Sequence, residues 1–437
     1  MMELKMYLSK ATFKNVQGFE NLTINFMDNP NNVRMSSLFL GNNSAGKTAF
    51  LRSLALGMCD ETGAAGLIDN FRWAFIRQGE KEAVVNIEFM SHQGQYRIVT
   101  AVKRISTQER LRQQYYHLSE TQPMREISPE DFPWQNLFVC GYGAGRLFGE
   151  STKAYEKYRI REAITTLFRY DYPLLYPELS LHRLIRAGEK NKEEIEQDTL
   201  QRFLTVMDEL FMLTAQEKLE LTENGIEVVN GEERSHLLLH GDGYKNTATW
   251  VLDMVSWKML ADHNFHPNKM TGIVLLDEVE QHLHPRWQRH IVRLLRQQFP
   301  KIQWIMTTHS PLCAVGISDL PDEECQLLRF NKAPQGFIEL IEIASLRGLK
   351  ADKVLTSPAF GLATTRNPEI AEKLDHFSTL YLKESRTSQE EQEFIELRDY
   401  LDQQLPEPAE NSETRIMQDK LKKMLGDLAM LSNGGTS

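Results

Sequence analysis

The chain has 437 residues, 41% hydrophobic and 25% charged, with a formal net charge of −10 at pH 7. That length predicts roughly two to four domains, with a core large enough to need no disulfide or metal staple. The acidic balance excludes a chain that is basic as a whole, so any nucleic-acid contact has to come from a local patch.

Cys59, Cys140, Cys313 and Cys325 are scattered and form no C-x-x-C pair. This argues against a zinc site or a disulfide framework and suits a reducing cytosol. No apolar run approaches the ~20 residues of a membrane span. The opening Met-Met-Glu-Leu-Lys lacks the apolar core of a signal peptide. A cytoplasmic protein without a membrane partner is expected.

In chain order, Met6–Phe13 and Leu22–Phe26 predict a β-hairpin with its turn through Asn15–Asn21. Ser37–Leu40 is a short apolar strand. It runs into Gly41-Asn42-Asn43-Ser44-Ala45-Gly46-Lys47-Thr48, a complete G-x-x-x-x-G-K-T loop that opens a helix over Ala49–Met58. Gly41 and Gly46 let the backbone curl so that successive N–H groups face phosphate oxygens, and the helix N-terminus favours the anion. Lys47 adds a charge for the β- and γ-phosphates, and the Thr48 hydroxyl can ligate Mg²⁺. The ligand class is therefore a nucleoside triphosphate with magnesium.

Ala83–Met90 and Tyr96–Ile105 alternate around His92-Gln93-Gly94 and predict a second antiparallel pair. Asn136–Cys140 is a short buried strand leading into Gly-Tyr-Gly-Ala-Gly-Arg. Residues 150–218 are charged and helix-rich. Within them Phe203, Val206, Met207, Leu210 and Phe211 recur at helical spacing, which predicts core packing rather than a cofactor site. Asn224-Gly225, between Leu219–Leu221 and Ile226–Val229, signals a hairpin.

Gly272–Leu276 and Ile302–Met306 are continuous apolar strands, separated by a predicted helix over Pro285–Gln298 with proline in its first turn. This order is a parallel α/β unit. The first strand ends in Asp277-Glu278. Ligands of open α/β sheets bind beyond the carboxyl ends of strands, so Asp277 is placed to hold Mg²⁺ and Glu278 to take a proton from the attacking water. The second strand ends in Thr307-Thr308-His309-Ser310-Pro311. There His309 either hydrogen-bonds the γ-phosphate or is a satisfied structural histidine. His282-Leu283-His284-Pro285 invites a metal reading, but its histidines lack a third partner at ligand spacing. A tight turn launching the Pro285 helix accounts for them. After about residue 345 the chain is mostly helical, with a break at Pro406-Glu407-Pro408 and a frayed end over Asn433–Ser437.

The motifs have a telling order: phosphate loop, helical insertion, His240-Gly241-Asp242-Gly243-Tyr244 opening a helix, the Leu275–Pro285 run around Asp277-Glu278, then Thr307–Pro311. This order resembles ABC-type ATPase heads of the SMC, Rad50 and OLD-like class, over residues 1 to about 330. The resemblance implies an α/β fold: an ATPase head with a mixed sheet carrying the P-loop and an antiparallel β-subdomain, a short helical insertion, and a helical C-terminal region. It divides the chain into head parts at 1–149 and 219–344, the insertion at 150–218, and a C-terminal region at 345–437 suited to partner docking. It implies ATP and Mg²⁺, with the nucleotide sandwiched between two heads. Lys47 and Thr48 would then bind phosphate and Mg²⁺, Asp277 would be the metal ligand, Glu278 the catalytic base and His309 the switch histidine. Gly243 would offer backbone N–H groups to the γ-phosphate of the opposing head, and Lys14-Asn15 would lie near the nucleotide. Two departures bear on the rate of hydrolysis rather than on nucleotide binding. Gly241 stands where the class usually has serine, and Tyr142, Gly143 and Arg146 stand where a Q-loop glutamine is expected.

A narrower resemblance runs from Gly348-Leu349 through Thr356–Arg366. This segment is similar to the C-terminal regions of bacterial ATPases encoded beside small HNH-type nucleases, the ATPase subunits of Septu-type antiphage systems. It implies a regulatory ATPase whose ATP-dependent head assembly holds or releases a partner nuclease of HNH type, or alternatively of Toprim type. No nuclease site is expected in the chain itself, because the carboxylates of residues 331–437 fall mostly on solvated helical stretches such as Gln389–Asp402. Residues 189–218 as a single helix would reach only about 45 Å at ~1.5 Å per residue. That excludes a long coiled coil and favours a compact head that forms homo-oligomers. Arg286, Arg289, Arg293 and Arg296, and the stretch Arg97, Lys103, Arg104, Arg110 and Arg112, are either solvated faces or a phosphate-tracking surface. The second option belongs to a rival function, an SMC-like repair or maintenance ATPase acting directly on DNA.

Overall fold

A computed structural model describes residues 6–69, 75–106, 108–119, 122–146, 157–174, 195–222, 225–261, 269–333, 336–383 and 385–405. The expected break at 406–408, the end at 433–437, Asn224 and the side chain of Phe203 lie outside the described parts. The chain divides into two compact units, Met1–Gly361 and Leu362–Ser437.

The strands of the first unit, in chain order, are β1 (Tyr7–Val16), β2 (Phe19–Asn25), β3 (Met27–Asn29), β4 (Asn32–Val33), β5 (Ser36–Leu40), β6 (Glu82–Ser91), β7 (Gly94–Ile105), β8 (Gln108–Ser119), β9 (Gln122–Ile127), β10 (Val139–Tyr142), β11 (Glu217–Thr222), β12 (Gly225–Asn230), β13 (Glu233–His236), β14 (Gly272–Leu276), β15 (Ile302–Thr308), β16 (Cys325–Lys332) and β17 (Ile338–Glu342). Two six-stranded sheets dominate. One has the order β2-β1-β6-β7-β8-β9, the other β10-β14-β15-β5-β16-β17. The first is antiparallel throughout. The second is parallel except for its β16–β17 edge. This is the mixed α/β head with an antiparallel β-subdomain that the motif order implies.

Burial explains the sequence patterns. The parallel strands are covered on both faces, which is why they are continuous apolar runs. Leu38, Leu40, Val274, Leu276, Trp304 and Met306 join one core, whereas Phe39, Ile273, Leu275 and Ile305 join the other. The antiparallel strands β6 and β7 bury alternate residues only, as strands with one solvated face must. The Lys47–Met58 helix sits on the second core, with Phe50, Leu51, Leu54 and Ala55 fully buried. Val206, Met207, Leu210 and Phe211 of the insertion are buried in the first core, on and just beyond the Ile195–Leu210 helix.

Several boundaries differ from expectation. β1 runs to Val16 and β2 restarts at Phe19, so the hairpin turn is Gln17-Gly18, with Gln17 at φ 46°. The predicted strand at Asn136–Cys140 is displaced to β10, because Trp134–Asn136 forms a 3-10 turn. The predicted Pro285–Gln298 helix is two pieces, Pro285–Gln288 and Ile291–Gln298. Gly316 of the neighbouring Pro311–Ile317 helix lies so near this break that a Cβ there would stand 2.6 Å from the Arg289 carbonyl oxygen. β8 and β9 were not expected at all, since Gln108–Gln114 is nearly all polar.

In the second unit the Pro368–Tyr381 and Ser388–Gln404 helices pack on each other through stacked Phe377 and Phe394, whose ring centroids are 4.7 Å apart. A capping box between Thr387 and Glu390 starts the second of these helices.

Candidate active site

Three parallel strands end in register. β15 pairs Thr308 with Leu40 of β5 and Met306 with Leu276 of β14. Sheet geometry therefore delivers the Gly41–Thr48 loop, the Asp277-Glu278 pair and His309 to one edge, at the carboxyl ends of strands where α/β folds bind ligands.

The loop keeps its helix open. Gly46 is the N-cap at φ 93°, a left-handed conformation that favours glycine, and no side chain caps the helix there. The N–H groups of that first turn have no intrahelical acceptor, which suits an anion. Lys47 is buried, and its Nζ lies 2.8 Å from the Gly41 carbonyl, 3.2 Å from that of Asn42 and 2.7 Å from Nε2 of His309. Burial lowers its ammonium pKa, against the opposing pull of Asp277, Glu278 and Glu280. Thr48 donates to Asp277 Oδ2 at 2.6 Å. A hydroxyl and a fully buried carboxylate brought together in this way are hard oxygen donors of the kind Mg²⁺ takes.

Asp277 is further held by the Thr307 hydroxyl, which donates to Oδ1 and accepts from the backbone N–H of Glu278 at 2.9 Å. Glu278 has φ 48°, an uncommon conformation for a residue with a side chain. Burial, then the charges of Asp277 and Glu280, raise its carboxyl pKa. Its Oε1 is 3.9 Å from His309 Nε2. His309 has its pKa lowered by burial and by Lys47, so a neutral imidazole faces both. Three carboxylates (Asp277, Glu278, Glu280) meet two cations (Lys47, Arg146), a balance of one negative charge that suits a divalent ion.

Sequence reasoning passed over three groups. Glu280 accepts from the His309 backbone N–H at 2.5 Å and from the Thr308 hydroxyl at 2.6 Å, so it clamps the histidine loop to the turn after β14. Thr307 and Arg146 support the carboxylate pair. Glu280 had a signal in its position two residues after Glu278, and Arg146 in standing where a Q-loop glutamine is expected.

Asn15 sits at the end of the β1–β2 hairpin at φ 53°, with its amide donating to Glu80 at 3.3 Å. The hairpin borders the loop through Phe19, which a Cβ on Gly46 would approach to 3.1 Å. Gly243, in the first turn of the Asp242–Ala261 helix, packs on the His282 turn, where a Cβ would stand 2.7 Å from the His282 carbonyl oxygen. Among the described residues nothing lies within 4 Å of a Cβ placed on Gly241, so a serine meets no clash with them. His284 caps the Pro285–Gln288 helix, its Nδ1 accepting from the Arg286 N–H, and His282 stands at φ 62° in the turn before it.

The family model AAA_23, described as an AAA domain, matches residues 10–236, more than half of the chain. A second AAA-domain model, AAA_21, matches residues 263–314. The chain is 26% identical to Septu protein PtuA of Bacillus mycoides (strain KBAB4) over 399 residues, 90% of this chain and 50% of that protein. It is 33% identical to the Retron Vc95 probable ATPase of Vibrio cholerae serotype O1 biovar El Tor over 122 residues, 28% of this chain and 23% of that one. The chain thus spans half or less of the length of these relatives. Among solved structures, the SMC head domain from Thermotoga maritima aligns over 77% of this chain and 99% of its own, at 14% identity and a TM-score of 0.44. No helix among the described residues is long and apolar enough to cross a membrane. With a phosphate loop, paired carboxylates and a histidine on one sheet edge, and a domain model spanning residues 10–236, the chain belongs to the AAA-domain family AAA_23.

Proposed function

We propose that the chain binds and hydrolyses ATP as the regulatory subunit of an antiphage defence complex, and that ATP-dependent assembly of its heads controls a partner nuclease. One observation carries the catalytic half. The Thr48 hydroxyl meets Asp277 at 2.6 Å, beside Lys47, Glu278 and His309. In this reading the 42–48 backbone and Lys47 receive the phosphates, while Thr48 and Asp277 hold Mg²⁺. When bound, Mg²⁺ neutralises charge on the β- and γ-phosphates. Glu278 accepts the proton of the attacking water through its raised carboxyl pKa. His309 donates a hydrogen bond to the γ-phosphate, and Gly243 serves the nucleotide of a second head.

The regulatory half rests on the likeness to Septu protein PtuA across 90% of the chain and on the 348–366 segment. A direct DNA-acting role is less favoured because the arginine-rich surfaces are largely neutralised. Arg289 pairs with Asp319, Arg296 with Glu324, Arg97 with Glu88, Arg104 with Glu109, Lys103 with Glu82 and Arg112 with Glu61.

The decisive experiment is affinity purification of the chain from its host, in wild-type and Lys47→Ala forms. A stoichiometric nuclease whose activity changes with ATP, and a Lys47→Ala form that binds no nucleotide and gives no protection from phage, are expected. A chain that purifies alone or only with DNA, or a Lys47→Ala form that protects fully, would overturn the proposal.

A further inference from the structure

We infer that Arg146 is a positioning residue for Glu278: its guanidinium ties down both carbonyls of the Asp277-Glu278 turn and so sets the direction of the Glu278 carboxylate. The inference rests on the ATPase reading above.

Arg146 closes the Gly-Tyr-Gly-Ala-Gly-Arg segment that follows β10, the strand paired with β14. Parallel pairing continues past the end of β14, since the Asp277 N–H donates to the Tyr142 carbonyl at 2.8 Å. The arginine therefore enters the site from the neighbouring strand end. It is 4% exposed. One terminal nitrogen donates to the Asp277 carbonyl and, at 2.8 Å, to that of Glu278. Its Nε is buried with no hydrogen-bond partner among the described residues.

A guanidinium sunk this deep with an idle donor is a poor way to stabilise a fold. The backbone points the same way. Arg146 has φ 28° and Glu278 φ 48°, left-handed conformations that ordinary residues avoid. Such conformations persist where the surroundings hold them, and they gather at functional sites. The two restrained residues are the two ends of this one contact. Without it, the Glu278 backbone is free to relax toward ordinary φ, which swings the carboxylate away. Arginine suits the task because its planar, delocalised guanidinium holds that one terminal nitrogen between the two carbonyls, whereas a lysine ammonium is a mobile point charge.

The test is steady-state ATP hydrolysis by the full chain with Mg²⁺, for wild type, Arg146→Gln, Arg146→Lys, Glu278→Gln and the Arg146→Gln/Glu278→Gln double variant. Expected for Arg146→Gln is a fall in kcat of about 10- to 100-fold, with KM for ATP within about threefold. In the Glu278→Gln background the same change should alter the residual rate less than about twofold, because the two residues act as one unit. Arg146→Lys should fall between wild type and Arg146→Gln, and it carries the same kcat-against-KM comparison if the glutamine variant does not fold. Losses that multiply in the double variant, or a rise in KM that accounts for the whole effect, would overturn the inference. So would an Arg146→Gln variant as fast as an active wild type. A wild-type chain without turnover would overturn the ATPase reading itself, and this inference with it.

Discussion

Glu278 is held in a neighbourhood that resists its charge. Burial and the carboxylates of Asp277 and Glu280 lift its folded-state pKa above the ordinary value, so ionisation weakens the fold as pH rises through that pKa. Below about pH 4.5 the group is protonated folded or unfolded, and the penalty vanishes. Glu278→Gln should therefore abolish turnover by roughly 100-fold or more while raising the melting temperature by about 1–2 °C at pH 7. The thermal gain should disappear at pH 4. Melting curves at the two pH values check the sign. His309 behaves oppositely. Burial and Lys47 depress its folded-state pKa, so its neutral form supports the fold above about pH 6.5, and that support is lost as pH falls through the depressed value. Replacing His309 with glutamine should flatten the loss of thermal stability between pH 7 and 5.

Among the elements, the insertion helix and the helix opened by Gly243 offer the sharpest tests. Met207 is fully buried in the core that also holds Trp250 and Trp304. Met207→Ala should cost about 2–5 kcal/mol of stability in urea unfolding. Gly243 lies in contact with the His282 carbonyl, and Tyr244 meets Trp287 at 4.5 Å. The segment expected to face a second head is thus seated on the turn that follows Asp277-Glu278. Gly243→Ala should force these apart. Expected is nucleotide affinity within a few-fold of wild type, with loss of ATP-dependent dimerisation in a Glu278→Gln background, read by light scattering. Dimerisation unchanged by the alanine would refute this seating.

For the whole molecule, pairing of the arginine-rich surfaces predicts weak contact with nucleic acid. The isolated chain should bind duplex DNA no more tightly than the ~10⁻⁴–10⁻⁶ M of non-specific association at physiological salt. Nanomolar binding without a partner in a filter or polarisation assay would favour the DNA-acting alternative. The acidic charge of −10 points the same way.

Much of this was legible in the residues alone. The phosphate loop, the Asp277-Glu278 strand end and the parallel unit around them depend on local rules. A glycine-bounded loop curls, a doubly covered strand is apolar throughout, and polar residues at a strand's carboxyl end face the ligand edge. The burial of Val206, Met207, Leu210 and Phe211 followed in the same way from helical spacing. What the sequence could not decide was which distant groups meet. β8 and β9 are polar because one of their faces is in water, so their membership in a sheet depends on β7 offering an edge. The break at Arg289–His290 lies against a glycine of another helix. Arg146 looked like a mere departure from a motif until β10 was paired with β14. Glu280 is one carboxylate among several until it is seen gripping the His309 loop. The sequence by itself determined the phosphate loop and the family to which the chain belongs, because that loop is written in contiguous residues. Only the tertiary structure decided which charges are paired, which backbone turns are strained and what holds them, because those contacts join residues of different elements, as with Arg146 and Glu278.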